Sequence, residues 1–237
     1  MNYLSATRHP WPCLIFLVPL LGIYECGVIW LGGPNPDKIR NGADTWLRHY
    51  LGNAGADPRL VAPGVIIGLL LIWTVWRWKD RPEQVLAVVF GMALESVMFA
   101  GVLWVIASNF SSILGHYGFA MNLEVSREKA ADVVTYIGAG IYEEAIFRLI
   151  LCAGLARLLN FVLIPWVAAV PMAILASSVL FSVAHHVGPN ADSFDQTRFL
   201  FRIFAGVFFA VIFWWRGFGV AAGTHAGYDI IVGLPSS

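Results

Sequence analysis

Runs of about twenty apolar residues recur along this chain, and they constrain its fold more than any other feature of the sequence. A helix needs roughly twenty such residues to cross about 30 Å of hydrocarbon, whereas a membrane β-strand alternates apolar and polar residues over about ten. The predicted spans cover residues 11–32, 60–77, 85–107, 132–157, 160–186, 199–215 and 218–234. The sequence therefore predicts an all-α, polytopic transmembrane helical bundle of about six to eight helices, built as a single membrane domain over residues 1–237.

The composition excludes several classes of protein. With 58% hydrophobic and 13% charged residues, the chain is far too apolar for a water-soluble globule or a disordered chain. Its 15 Lys and Arg balance its 15 Asp and Glu, so there is no basic field to hold nucleic acid. The three cysteines lie in apolar runs without metal-ligand spacing, which argues against disulfides or structural zinc. We expect an integral multi-pass protein of the cell membrane whose partners are the lipid bilayer and a membrane-associated substrate.

The segments between and before the runs set the expected topology. The first run, 11–32, is long enough to cross a bilayer and lacks an A-x-A cleavage pattern, so we expect a retained span rather than a signal peptide. Extramembrane loops are predicted at 34–59, with a short surface helix around 43–51, and at 108–131. A basic cluster in a short loop favours a cytoplasmic N-terminus. It comprises Arg77, Lys79 and Arg81.

Ionisable residues inside the predicted spans need an explanation, because each costs at least about 2.5 to 3.5 kcal/mol to insert into a bilayer. They lie in four different spans, as expected of a site built between helices. They are Glu95, Glu143, Glu144, Arg148, His185, His186, His225 and Asp229. For Glu95 we favour a supporting hydrogen bond over catalysis. Glu25 and Arg202 have no opposite charge at helical spacing, so no role is assigned to them.

The fourth predicted span carries two adjacent acids. Glu144 and Arg148 are one helical turn apart and can pair, while Glu143 points about 100° away. Glu144 would then be a fixed orienting group, and Glu143 an uncompensated carboxylate able to take a proton from water. A buried charge network that only ties helices together is the structural alternative.

Two later spans each place polar groups on one face. His185 follows Phe181 by one helical turn, so we expect it, rather than His186, to point inward. In the last span His225 and Asp229 are also four residues apart. Opposite them runs a small-residue stripe suited to close helix packing. The stripe consists of Gly219, Gly223 and Gly227.

Together these groups form the inventory of a hydrolytic site. Glu143 would activate water with help from His185, while His225 and Asp229 would hold the carbonyl and stabilise the oxyanion. A divalent metal such as zinc is an open alternative, with ligands drawn from Glu143, His185, His225 and Asp229. The chain has no HExxH, and no serine-nucleophile pattern supports serine chemistry.

Three motifs in order make the chain similar to the CPBP intramembrane endopeptidases, the CAAX-processing and bacteriocin-processing family that includes the type II CAAX prenyl endopeptidases. The motifs are EExxxR at 143–148, FxxxH at 181–185 and HxxxD at 225–229, and the resemblance covers about residues 132–234, the expected catalytic core. It implies that Glu143 is the catalytic glutamate, that Glu144 and Arg148 order it, and that His185 positions water.

By the same resemblance, His225 and Asp229 form the oxyanion or ligand group. Two departures from the family pattern matter. Leu149 stands where many members have glycine, and Asp229 stands where the prenyl proteases have asparagine. An ionised Asp229 cannot donate a hydrogen bond to an oxyanion, so it would be protonated, act through His225 or bind a cation.

The leading hypothesis is an intramembrane endopeptidase that cleaves a membrane-associated or lipidated protein or peptide. The alternative is a proton- or cation-coupled transporter that uses the same buried acids and histidines. A third hypothesis is an inactive scaffold that binds a partner helix through the glycine stripe.

Overall fold

The computed structural model is all-helical over the residues that it describes, which are 1–53, 55, 57, 61–113, 127–188 and 191–236. The helices follow one another along the chain. They are α1 (Tyr3–Ala6), α2 (Pro10–Gly32), α3 (Gly42–Asn53), α4 (Val61–Trp76), α5 (Val85–Ile113), α6 (Arg127–Glu144), α7 (Ala153–Phe161), α8 (Trp166–Ala184), α9 (Gln196–Arg216) and α10 (Phe218–Ser236). The predicted helical bundle is confirmed.

Four of these helices, α2, α5, α8 and α9, are long and apolar enough to cross a membrane. Helix α4 is apolar too, but it has only 16 residues. Large apolar side chains on the outside of the bundle are exposed, as expected of surfaces that meet lipid rather than water. The chain is therefore an integral membrane protein. Among the described residues, the helices that are long and apolar enough to span are fewer than the seven predicted spans.

The helix boundaries differ from the predicted ones in three places. Helices extend into both ends of the loop predicted at 108–131, because α5 continues to Ile113 and α6 begins at Arg127. Positions 114–126 of that predicted loop lie outside the described residues. The run predicted at 160–186 begins only at Trp166, after a turn in which Leu163 adopts a positive φ of 69°. Helix α8 ends at Ala184, so His185 caps the helix instead of lying within it.

A π-helical segment, Ala145–Cys152, joins α6 to α7 and continues the run predicted at 132–157. Its wider turn replaces the regular 3.6-residue geometry directly after the two adjacent acids. Such segments are rare and occur frequently at functional sites. The segment holds Phe147 and Arg148, both buried, against α8 and α9.

Helix α10 packs between α5 and α6, and its small residues allow the close approach. A side chain added at Gly219 would collide with Met92, and one added at Gly223 would collide with Ser96, both on α5. On the α6 side, a side chain added at Gly140 would meet the backbone of α10. The glycine stripe is thus occupied by the chain's own α5, which removes the reason for assigning it to a partner helix.

The short surface helix predicted at 43–51 is confirmed as α3, an amphipathic helix that packs on α4 and α6. A buried polar network, named here the anchoring network, fixes it to the neighbouring helices. The network consists of Tyr24 and Glu25 of α2, Arg40 before α3, Asp44 and Arg48 of α3, and Tyr142 of α6. Asp44 lies at its centre and bonds to Tyr24, Arg40 and Arg48 at 2.6 to 2.8 Å.

The intramembrane charges that had no partner in the sequence find one across the fold. Glu95 accepts two hydrogen bonds from Arg216 of α9, at 2.8 and 2.9 Å, so it is a supporting ion-pair partner instead of a lone acid. Glu25 pairs with Arg48 at 2.6 Å, and Arg202 pairs with Asp192. A search for opposite charges one helical turn away therefore misses the partners of Glu25 and Arg202, because those partners come from other segments of the chain.

Candidate active site

Glu144 lies fully buried at the centre of a polar cluster formed by α6, the π-helical segment and α10. Its Oε2 is 3.1 Å from the Arg148 Nε, so the ion pair expected from the four-residue spacing forms. Its Oε1 is 2.8 Å from the His225 Nδ1, which connects α6 to α10. Because Glu144 and Arg148 are both inaccessible to solvent, neither can exchange its partner for water.

Aromatic rings hold the charged groups of this cluster in place. The Arg148 guanidinium lies 4.6 Å from the centre of the Phe181 ring, and its terminal nitrogen donates to the Gly206 carbonyl at 3.3 Å. Phe209 stacks on the His225 imidazole with centroids 4.5 Å apart and an interplanar angle of 13°. Rotation of either polar side chain would break these ring contacts, so both are confined to one orientation.

Glu143 points away from this pair, toward a cavity. Its Oε1 accepts a hydrogen bond from the Asn41 side-chain amide at 2.8 Å. Its Oε2 faces the Nε2 atoms of His185 and His225, each at 3.9 Å. These two separations are too long for direct hydrogen bonds, but each leaves room for a bridging water. Glu143 keeps 12% of its side-chain surface accessible, whereas Glu144 keeps none.

The hydrogen bond at the far side of the His185 ring fixes its tautomer. Its Nδ1 is 2.9 Å from the carbonyl oxygen of Phe181. A carbonyl can only accept, so Nδ1 carries the hydrogen. In the neutral ring Nε2 then presents a lone pair toward Glu143. His186 instead bonds to the backbone carbonyl of Asp192 and lies outside the cluster.

Asp229 lies beside His225, with its Oδ2 3.3 Å from the His225 Nε2. The His225 imidazole is therefore surrounded by three carboxylates: Glu144 on Nδ1, and Glu143 and Asp229 on Nε2. All six side chains named from the sequence motifs thus lie in one cluster. Glu143 and His185 line the cavity, whereas His225 and Asp229 of α10 do not.

The cavity beside Glu143 has a volume of about 580 Å³. One wall comes from α3, and the other from the π-helical segment and the end of α8. Its lining includes Asn41, Thr45, Trp46, Tyr50, Glu143, Ile146, Phe147, His185, Val187 and Asp192. Asp192 also lines the cavity, and the hydrogen bond from its ion-pair partner Arg202 lowers the pKa of its carboxyl.

Asn41 and α3 are the parts of this site that sequence reasoning missed. The polar segment before α3 predicted a surface helix, and an asparagine before Gly42 is a common N-cap signal. Neither feature links position 41 to position 143, because that contact spans 102 residues. Only the packing of α3 against α6 shows that the segment borders the candidate catalytic glutamate.

The ligands expected for a metal are Glu143, His185, His225 and Asp229. Within the described part of the chain, no group of three or more His, Cys, Asp or Glu side chains has an arrangement that could hold a metal ion. Glu143 lies 3.9 Å from both histidine nitrogens, and the other nitrogen of His225 is engaged by Glu144. No metal site is therefore assigned to these side chains.

Comparison with known proteins gives one match. Residues 130–231 match the family model of the Rce1-like type II CAAX prenyl endopeptidases. No curated protein and no solved structure matches the chain. The matched stretch contains the three motifs and runs from α6 into α10, and it confirms the family resemblance inferred from them.

Proposed function

We propose that this chain is an intramembrane endopeptidase in which Glu143 is the general base that activates water. The observation that carries the proposal is the arrangement around its Oε2, which faces two histidine Nε2 atoms at 3.9 Å beside a cavity. A buried carboxylate with a purely structural role would be expected to close such gaps with direct hydrogen bonds. This one leaves space for a reactant.

Glu143 and His185 would hold the attacking water between them. Each presents an acceptor, a carboxylate oxygen on one side and the Nε2 lone pair on the other, so both hydrogens of one water can be bonded. The water oxygen then attacks the peptide carbonyl carbon while its proton passes to Glu143. When the C–N bond breaks, Glu143 returns that proton to the leaving amine nitrogen.

His225 would stabilise the negative charge that develops on the carbonyl oxygen. Glu144 accepts from the ring's Nδ1–H and forms an ion pair with Arg148 on its other oxygen. A hydrogen on Nε2 can then be donated to the oxyanion. Asp229, 3.3 Å from Nε2, cannot donate when ionised, so its contribution is to hold a protonated imidazole.

The substrate would be a membrane-associated or lipidated protein or peptide. The similarity to type II CAAX prenyl endopeptidases supports a prenylated peptide that ends in a CAAX sequence as the first substrate to test. The apolar part of the cavity wall, with Trp46, Ile146 and Phe147, suits side chains next to the scissile bond.

The test compares wild-type chain with Glu143→Gln in detergent, using prenylated CAAX peptides and unprenylated membrane-anchored peptides, with cleavage read by mass spectrometry. We expect Glu143→Gln to lower kcat by about 10²–10⁴-fold, the usual contribution of a general base. Glu83→Gln, in the exposed loop before α5, is the matched control and should cleave normally.

Activity that survives a chelator would support the metal-free mechanism, and loss that zinc restores would contradict it. If Glu143→Gln cleaves as well as wild type, Glu143 is not the base. Reconstitution into vesicles separates the transporter hypothesis, because there the same variant would abolish ion-coupled flux while no peptide is cut.

A further inference from the structure

Asn41 connects two parts of the molecule that the motifs do not link. It lies directly before α3, only 7% exposed, and uses both ends of its side chain. Its Oδ1 accepts from the backbone N–H groups of Ala43 and Asp44, at 2.8 and 3.3 Å, which caps α3. Its Nδ2 donates to the Glu143 Oε1 at 2.8 Å.

The orientation of this amide is determined by its partners. Backbone N–H groups only donate, so the atom that faces Ala43 and Asp44 is the oxygen, and the NH₂ group must face Glu143. The backbone of Asn41 is fixed as well. Its N–H donates to the Tyr24 hydroxyl at 3.1 Å, and its carbonyl accepts from Thr45. The amide donor therefore reaches Glu143 from a rigid base.

We propose that Asn41 is a positioning residue for Glu143, an inference that rests on the proposed function. Its amide occupies Oε1 and so fixes the rotation of the carboxylate, which leaves Oε2 as the oxygen that faces both His185 and His225. Without this donor the carboxylate can turn about its terminal bond, and its alignment with the water and the scissile carbonyl is lost.

A competing role for Asn41 is that of an N-cap only, and two substitutions separate the roles. Serine keeps an acceptor for the cap but cannot donate to Glu143 from its shorter side chain. Aspartate also caps well, but it sets a second carboxylate against Glu143. The matched control is Asn53→Asp, the same change at the exposed far end of α3, where the Asn53 amide nitrogen lies 3.3 Å from the His49 Nε2.

The first measurement separates kcat from KM for CAAX peptide cleavage by full-length chain in detergent. Asn41→Ser should lower kcat by about 10- to 100-fold, with KM within roughly threefold of wild type, because alignment and not binding is lost. Asn53→Asp should match wild type. A kcat for Asn41→Ser equal to that of wild type would overturn the positioning role and leave the cap.

The second measurement is thermal unfolding of Asn41→Asp, Glu143→Gln and the double variant at pH 8. Asn41→Asp should lower the Tm by several degrees, because two facing carboxylates repel. The double variant should recover most of that loss, since the amide introduced at position 143 can donate to the carboxylate introduced at position 41. Additive Tm changes would overturn the contact itself. The proposed function itself fails if the wild-type chain and Glu143→Gln cleave the peptide equally well. That result would overturn both proposals.

Discussion

Two buried polar networks lie side by side in this protein, and they differ in how completely their members bond to one another. In the anchoring network, direct bonds of 2.6 to 2.9 Å connect Asp44, Arg48, Glu25 and Tyr142. In the candidate catalytic cluster, Glu144 and Arg148 form an ion pair with 3.1 Å between Oε2 and Nε, and the groups nearer the cavity lie farther apart. Glu143 remains 3.9 Å from both histidine rings.

This difference helps to distinguish intramembrane charged residues with a structural role from those that could act on a ligand. A network whose groups satisfy one another stabilises the fold and has no capacity left for a ligand. A network in which the Glu143 Oε2 and the His185 Nε2 lone pair face each other beside a cavity can still bind a ligand. Asn41 contacts both networks, since its backbone N–H bonds to Tyr24 and its side-chain amide bonds to Glu143.

The largest effect that would test this comparison is expected from Asp44→Ala. Asp44 is fully buried and bonds to two arginines and a tyrosine, so its removal takes a carboxylate at 2.6 to 2.8 Å from Arg40 and Arg48, which both also pair with Glu25. Breaking a buried ion pair costs about 3–5 kcal/mol, which should appear as a large drop in Tm in detergent. Protein that remains folded at low temperature should still cleave.

The control for this variant is Asp37→Ala, which removes an exposed carboxylate 3.4 Å from the same Arg40. Its effect on Tm should be small, since exposed ion pairs contribute little. Equal losses from the two variants would contradict the closed character of the anchoring network.

Arg148→Lys should have the next largest effect, on rate more than on stability. Lysine keeps the positive charge beside Glu144, but it loses the planar group that lies on the Phe181 ring and reaches the Gly206 carbonyl. Glu144 would then hold His225 less firmly. We expect kcat to fall by about 10- to 100-fold, or about 1.4–2.7 kcal/mol.

Arg157→Lys on α7 is the matched control for Arg148→Lys, because Arg157 is exposed and donates to the Ala153 carbonyl of its own helix at 3.1 Å. It should leave both kcat and Tm unchanged. A kcat for Arg148→Lys equal to that of the control would show that the inner pair does not orient the catalytic groups.

The sequence predicted those features that depend on neighbouring residues. Apolar runs identified the helices because spanning length and hydrophobicity are local properties, and the Glu144–Arg148 and His225–Asp229 pairs follow from one helical turn. The contacts that complete the site are not local. Asn41 to Glu143 spans 102 residues, Tyr142 to Glu25 spans 117, and Arg216 to Glu95 spans 121.

These long-range contacts depend on which helices become neighbours, and hydrophobic periodicity does not encode that order. The π-helical segment escaped prediction for a related reason, because its wider turn is stabilised by packing against α8 and α9. The N-terminal half therefore carried no functional signal in the sequence, although it supplies a cavity wall and Asn41.

The smallest effect, and the sharpest test of the comparison, is expected from Tyr142→Phe. Tyr142 directly precedes Glu143, yet its hydroxyl points the other way and donates to the Glu25 Oε1 at 2.9 Å. Loss of that hydrogen bond should cost about 1–2 kcal/mol of stability, since the acceptor is charged, and should lower the Tm by a few degrees. The value of kcat should stay within about twofold of wild type, because the hydroxyl does not contact the catalytic cluster. The opposite result would be a fall in kcat as large as that of Arg148→Lys with an unchanged Tm. In that case the two networks act as one, and the distinction between a structural network and a catalytic one fails at Tyr142.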